Sequence, residues 1–95
     1  MRLDISDAAR SDLHEMYKYG RDAYGERTAQ NYLSVLMLTI ERIPEWPLVA
    51  RLRREVRPPV RLLPHEAHNI FYDVRDEEIE IVRVLHHSAD WVHIL

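Results

Sequence analysis

The chain has 95 residues, a net charge of -3 and no cysteine. That length makes one domain (residues 1–95) with a single compact core, and it leaves no room for a separate cofactor domain. Disulfides and cysteine-based zinc sites are excluded, and a protein that grips nucleic-acid phosphates usually carries the basic excess this chain lacks. No stretch reaches the 18 or so apolar residues of a membrane span, and the N-terminus has no apolar signal core, so a cytoplasmic location is expected.

Residues 2–5 alternate polar and apolar and predict a first strand. Ser6-Asp7 offers a helix N-cap with an acid in the first turn. Ala9, Leu13, Met16 and Tyr17 then share one helical face, with breaks expected at Gly20 or at Tyr24-Gly25. A second helix is expected from about Glu26 to Ile43, ended by Pro44 and Pro47; the short link makes the two an antiparallel hairpin. Residues 44–60 hold four of the five prolines and predict an irregular connector with a helical turn around Leu48–Arg54.

Three strands complete the chain: one starting near Val60, one over His68–Val74 and one over Glu78–Leu85, the last two joined at Arg75-Asp76-Glu77. In the last strand Ile79, Ile81 and Arg83 fall on one face and Glu80, Val82 and Val84 on the other, so both faces are expected to be covered in part. The predicted fold is α+β, in the order β-α-α-β-β-β: an antiparallel-rich sheet with a helical hairpin on one face and the other face partly open.

Ala9-Arg10-Ser11-Asp12-Leu13 with Met16 and Tyr19 is similar to the A-x-x-D-L-x-x-I-x-x-Y first helix of the ParE-like toxins in the RelE/ParE superfamily. Gly25, Ala29, Tyr32 and Leu36 sit where that family has its second-helix pattern. Ala67-His68-Asn69-Ile70-Phe71-Tyr72 resembles S-H-x-I-F-Y, and Ile81–His86 followed by Asp90 resembles I-x-R-V-L-H-x-x-x-D. The resemblance covers nearly the whole chain, and the last motif is its most specific part.

The resemblance implies the toxin of a type II toxin–antitoxin system, held inactive by a ParD-like antitoxin in a hetero-oligomer. It implies poisoning of DNA gyrase by protein–protein contact and growth arrest. RelE-type relatives instead cut messenger RNA on the ribosome, and a third alternative is an inactive relative that keeps antitoxin binding. RelE-like nucleases tend to be strongly basic, so the acidic balance favours the first.

The candidate target contacts are Arg61, Arg83, His86, His87 and Trp91, with Arg61 expected on the open face of the sheet by resemblance. In a nuclease, Arg61, Arg83, His86 and His87 would supply the cations and the acid–base pair. The bland alternative is a structural His86 and a solvated His87. Tyr17, Tyr24 and Tyr32 on the hairpin are candidate antitoxin contacts, or ordinary core rim.

Of thirteen basic residues only Lys18 is lysine, and five arginines fall between Arg51 and Arg61. Arg51, Arg53 and Arg54 there are either a solvated connector or a surface for an acidic antitoxin tail. No aromatic side chain interleaves them as a stacking platform for single-stranded nucleic acid, and no sequence-specific nucleic-acid binding is expected of the chain alone. His65 and His68, three apart in a strand, are expected to point to opposite faces. No metal and no cofactor is expected. The apolar end Trp91–Leu95 either packs back on the sheet or meets a partner.

Overall fold

A computed structural model describes residues 1–95. Strand β1 (Arg2–Ile5) leads into helices α1 (Asp7–Tyr24) and α2 (Glu26–Arg42), and α2 tightens into a single 3₁₀ turn at Ile43–Glu45. Strands β2 (Leu52–Arg53), β3 (Val60–His65), β4 (His68–Arg75) and β5 (Glu78–His86) follow, then one helical turn, α3 (Trp91–Ile94). The sheet order is β1-β5-β4-β3-β2, with β1 parallel to β5 and every other pair antiparallel. The α+β order expected from the sequence is present. The elements it lacked are the two-residue β2 and the closing turn α3.

Ser6 starts α1 and ties it to the sheet at once. Its Oγ accepts from the Ala9 amide at 3.0 Å and donates to the Val82 carbonyl at 2.8 Å. A side-chain cap of this kind is worth about 1 kcal/mol. α1 does not break at Gly20. It runs on to Tyr24, and the chain reverses at Gly25, whose φ of 95° suits a residue without a side chain. Gly20 instead lies inside α1 against α2, where an added Cβ would meet the Ala29 Cβ at 3.4 Å, an ordinary contact.

The helical face of the sheet carries the main core. Leu36, Ile40 and Ile43 pack on Ile70, Tyr72, Ile79, Ile81 and Val84, and all are buried. Strict alternation on β5 is interrupted. Phe71 pairs with Arg83 while Tyr72 pairs with Ile81, so Val82 is an extra residue, a β-bulge. The bulge returns Val84 to the face of Ile79 and Ile81, and Val82 packs beside a second cluster with Leu85. The sequence expectation that Val82 and Val84 share a face fails at this bulge.

The opposite face is the one expected to be partly open. Phe71, Leu85, Val56 and Val60 form a small buried cluster there, joined by Trp91 and Leu95. The connector contains no helical turn at Leu48–Arg54. It bends at 47–50 and then pairs Leu52 and Arg53 with β3. The reason is the Tyr72 hydroxyl, which donates to the Pro47 carbonyl at 2.9 Å and accepts from the Ala50 amide at 3.3 Å. A buried phenol must find partners, and these two pin the bend of the connector to the sheet.

Candidate functional site: a groove and the end of strand β5

Between the helical hairpin and the ends of β4 and β5 lies a groove of about 740 Å³. Ala29, Val84 and Leu85 are its buried base, and Gly20 opens it because no side chain fills the space beside Ala29. Tyr19 and Tyr24 line it while remaining 69% and 68% exposed. Tyr17 and Tyr32 are half-buried along it. A groove with apolar residues at its base and phenol rings along its sides suits an amphipathic segment.

One wall of the groove is histidine. The β3–β4 hairpin turns on Glu66-Ala67, with Glu66 at φ 49°, and this sets His65 opposite His68; His68 in turn lies opposite His86. The expectation that His65 and His68 point to opposite faces is corrected by that turn. Three residues apart across a two-residue hairpin are register partners, and register partners share a face. The His68 and His86 ring centroids are 5.6 Å apart, edge to face, and those of His86 and His87 are 4.3 Å apart.

α2 fastens this rung from above. The Tyr32 hydroxyl and His68 Nδ1 are 2.7 Å apart, and Thr39 Oγ1 and His65 Nδ1 are 3.1 Å apart. Burial pushes the His68 imidazole below its ordinary value, and the neighbouring His86, His65 and His87 add to that. Burial raises the Tyr32 phenol. No three His, Asp or Glu side chains converge on one metal-sized point.

The β5 exit is built differently from the expected cluster. Asp12 on α1 accepts from Arg83 Nε at 2.8 Å and Nη2 at 2.9 Å, and from the Val84 amide at 2.9 Å. β1 stops pairing at Ile81, so beyond it the edge of β5 needs other partners. Ser6 and Asp12 are those partners. The bidentate pair raises the Arg83 guanidinium further above its already high value.

Arg61 is the register partner of Tyr72, on the helical side of the sheet, and its Nη1 donates to the Ala50 carbonyl at 2.7 Å. It does not stand on the open face. It sits four residues along β3 from the histidine rung, roughly 13 Å. The structure therefore brings His86 and His87 together but holds Arg61 and Arg83 on internal partners. His86 Nδ1 shares a hydrogen bond with Ser88 Oγ at 2.7 Å.

Trp91 packs against Phe71 with centroids 5.4 Å apart, and Arg53 lies 5.0 Å over its ring while binding Glu55 at 2.6 Å. Arg51 and Arg54 are exposed. The residues unnoticed in the sequence were Asp12 as an edge cap, Thr39 and Gly20. Asp12 stood inside the first-helix motif, but its partners lie 71 and 72 positions away.

Residues 3–91 match the family described as the ParE toxin of type II toxin–antitoxin system, parDE. The chain is 33% identical over 86 residues to Toxin ParE1 of Caulobacter vibrioides, covering 90% of this chain and 88% of that protein. Its fold is shared with a chain of the chromosomal ParDE TA system from P. aeruginosa. There the TM-score is 0.80 at 22% identity, over 90% of this chain and 95% of that one. With the family matched across almost the whole domain and the fold in agreement, the chain belongs to the ParE toxin family of type II toxin–antitoxin systems.

Proposed function

We propose that a ParD-like antitoxin holds this toxin inactive by seating an amphipathic segment in the groove. Released, the toxin arrests growth in the cytoplasm by binding DNA gyrase. The observation that carries the antitoxin half is the open groove lined by Tyr17, Tyr24 and Tyr32. Covering Tyr19 and Tyr24 would remove roughly 200 Å² of ring surface from water, ~5 kcal/mol before the costs of association. Arg51, Arg53 and Arg54 lie on the connector and suit an acidic continuation of the same segment. His86, His87 and Trp91 are the proposed target contacts. Arg61 and Arg83 act in this reading by position, bracing the connector and α1.

Two experiments test the two halves. Expression of the chain alone should stop growth, and co-expression of the ParD-type protein encoded beside it should restore it. The purified toxin should inhibit gyrase supercoiling. Cleavage of ribosome-bound messenger RNA that vanishes in His86→Ala and His87→Ala would replace the gyrase reading with the RelE-type endoribonuclease. No growth arrest from a folded chain would mean an inactive relative that retains antitoxin binding.

A further inference from the structure

The groove is apolar along most of its length, yet one wall is made of ionisable rings. His68 is half-buried beneath Tyr32, and His86 stands exposed at its edge. A segment seated in the groove would cover both. A neutral imidazole tolerates that burial, whereas an imidazolium needs water or a counter-charge.

Each nearby carboxylate already faces another group. From α1, Asp12 is committed to Arg83 and the Val84 amide, and Glu15 faces Lys18 at 3.6 Å. From the β3–β4 turn, Glu66 lies 4.0 Å from His65. From β3 and β5 the neighbours are His65, His86 and His87, which offer like charge when protonated. From α2, Glu26 lies 3.4 Å from the Tyr17 hydroxyl and from the Gln30 amide, and the other groups along the groove are the phenols of Tyr17, Tyr19, Tyr24 and Tyr32. Hydrogen bonding does not resist protonation at His68. Its Nδ1 can accept from the Tyr32 hydroxyl, or donate to it while that hydroxyl turns to the His65 carbonyl 3.4 Å away. At His68, charge and not a lost bond decides between the two states; at His86, whose Nδ1 accepts from the Ser88 amide at 3.2 Å, protonation would also lose that bond.

We infer that occupation of this groove is proton-linked: the antitoxin segment binds the form in which His68 and His86 are neutral, so the complex is tightest at neutral pH and above and loosens in mild acid. This rests on the groove being the antitoxin's seat. The depressed protonation of His68 in the free chain is the same effect at smaller scale, since partial burial already disfavours its charge. Linkage is reciprocal, so the bound antitoxin expels the protons that would otherwise weaken it.

The test uses the full-length chain and the full-length ParD-type antitoxin encoded beside it, by calorimetry at pH 7.5, 6.5 and 5.5 in two buffers of different ionisation enthalpy. One fully excluded imidazole proton weakens binding roughly tenfold across that range. The expected result is a dissociation constant about tenfold higher at pH 5.5, with protons released on binding near pH 6. Both should shrink in His86→Asn, an exposed position where folding is not at stake, and disappear in His86→Asn with His68→Asn. A dissociation constant independent of pH overturns the inference, and so does a pH dependence that persists in the double variant. Tyr19→Glu and Tyr24→Glu separate the two ideas, because both side chains are exposed in the free chain. If they leave binding intact, the groove is not the seat and both ideas fall. If they abolish binding while pH has no effect, the seat stands and only the proton linkage fails.

Discussion

Asp12 serves two masters with one carboxylate. It neutralises Arg83, whose side chain is 26% exposed, and caps the amide of Val84 at an unpaired strand edge, while itself only 13% exposed. Asp12→Ala should therefore cost about 2–3 kcal/mol in urea denaturation, since it strands both a backbone donor and a half-buried guanidinium. Asp12→Asn should lose roughly half of that, because an amide oxygen still accepts from Val84. His68 sets a pH dependence of folding on its own. Its charged form is disfavoured in the fold, so the unfolded chain binds the extra proton. The stability from a neutral His68 is full above the unfolded value near 6.5 and is lost as pH falls through the lower folded value. The melting temperature should drop on going from pH 7.5 to 5.5, and it should drop by less in His68→Asn.

The helical hairpin contains the chain's two glycines, and they do different work. Gly25 is at φ 95° with nothing within 4 Å of an added Cβ. Gly25→Ala should cost about 1–3 kcal/mol through backbone strain alone, despite the free space. Gly20 lies in the interior of α1, and an added Cβ would meet Ala29 at an ordinary 3.4 Å. Gly20→Ala should stabilise the fold by about 0.5–1 kcal/mol through helix propensity. Opposite signs for two Gly→Ala changes five residues apart, read by thermal melting, would confirm that the hairpin turns at Gly25 and packs at Gly20. Gly20→Leu should overfill the space beside Ala29 and weaken antitoxin binding more than it weakens the fold.

At the level of the whole molecule, the sheet separates two packed faces. The helical face carries the main core and the groove, and the opposite face carries the cluster of Val56, Val60, Phe71 and Leu85 closed by Trp91. Trp91→Ala should destabilise by about 2 kcal/mol, less than a fully buried Trp→Ala, because the ring is only half-buried. It should also raise binding of an apolar dye as Phe71 is uncovered. Trp91→Phe should keep most of the stability. A gyrase defect in Trp91→Phe with near-normal melting would assign Trp91 to the target surface; a defect only in Trp91→Ala would assign it to packing.

The sequence by itself determined the main helices and strands and their order, because hydrophobic periodicity and capping are local properties. Ser6 before an amphipathic run, prolines after Ile43 and the apolar strand Glu78–His86 are each legible within a dozen residues. The short link at Gly25 was enough to make the helices a hairpin. Which side chains meet was decided by tertiary structure, for a specific reason: strand register and bulges are not written in spacing along the chain. The Val82 bulge moves Val84 to the main core. The Glu66-Ala67 turn makes register partners of two histidines three residues apart. Tyr72 pins the connector where its prolines alone left it irregular. The motif running from Ile79 to His86 marked the family and ended where the proposed contact surface begins. Its Arg83, expected to face a target, is held by Asp12 from the far end of the chain, and its His86 forms a groove wall with His68 and Tyr32.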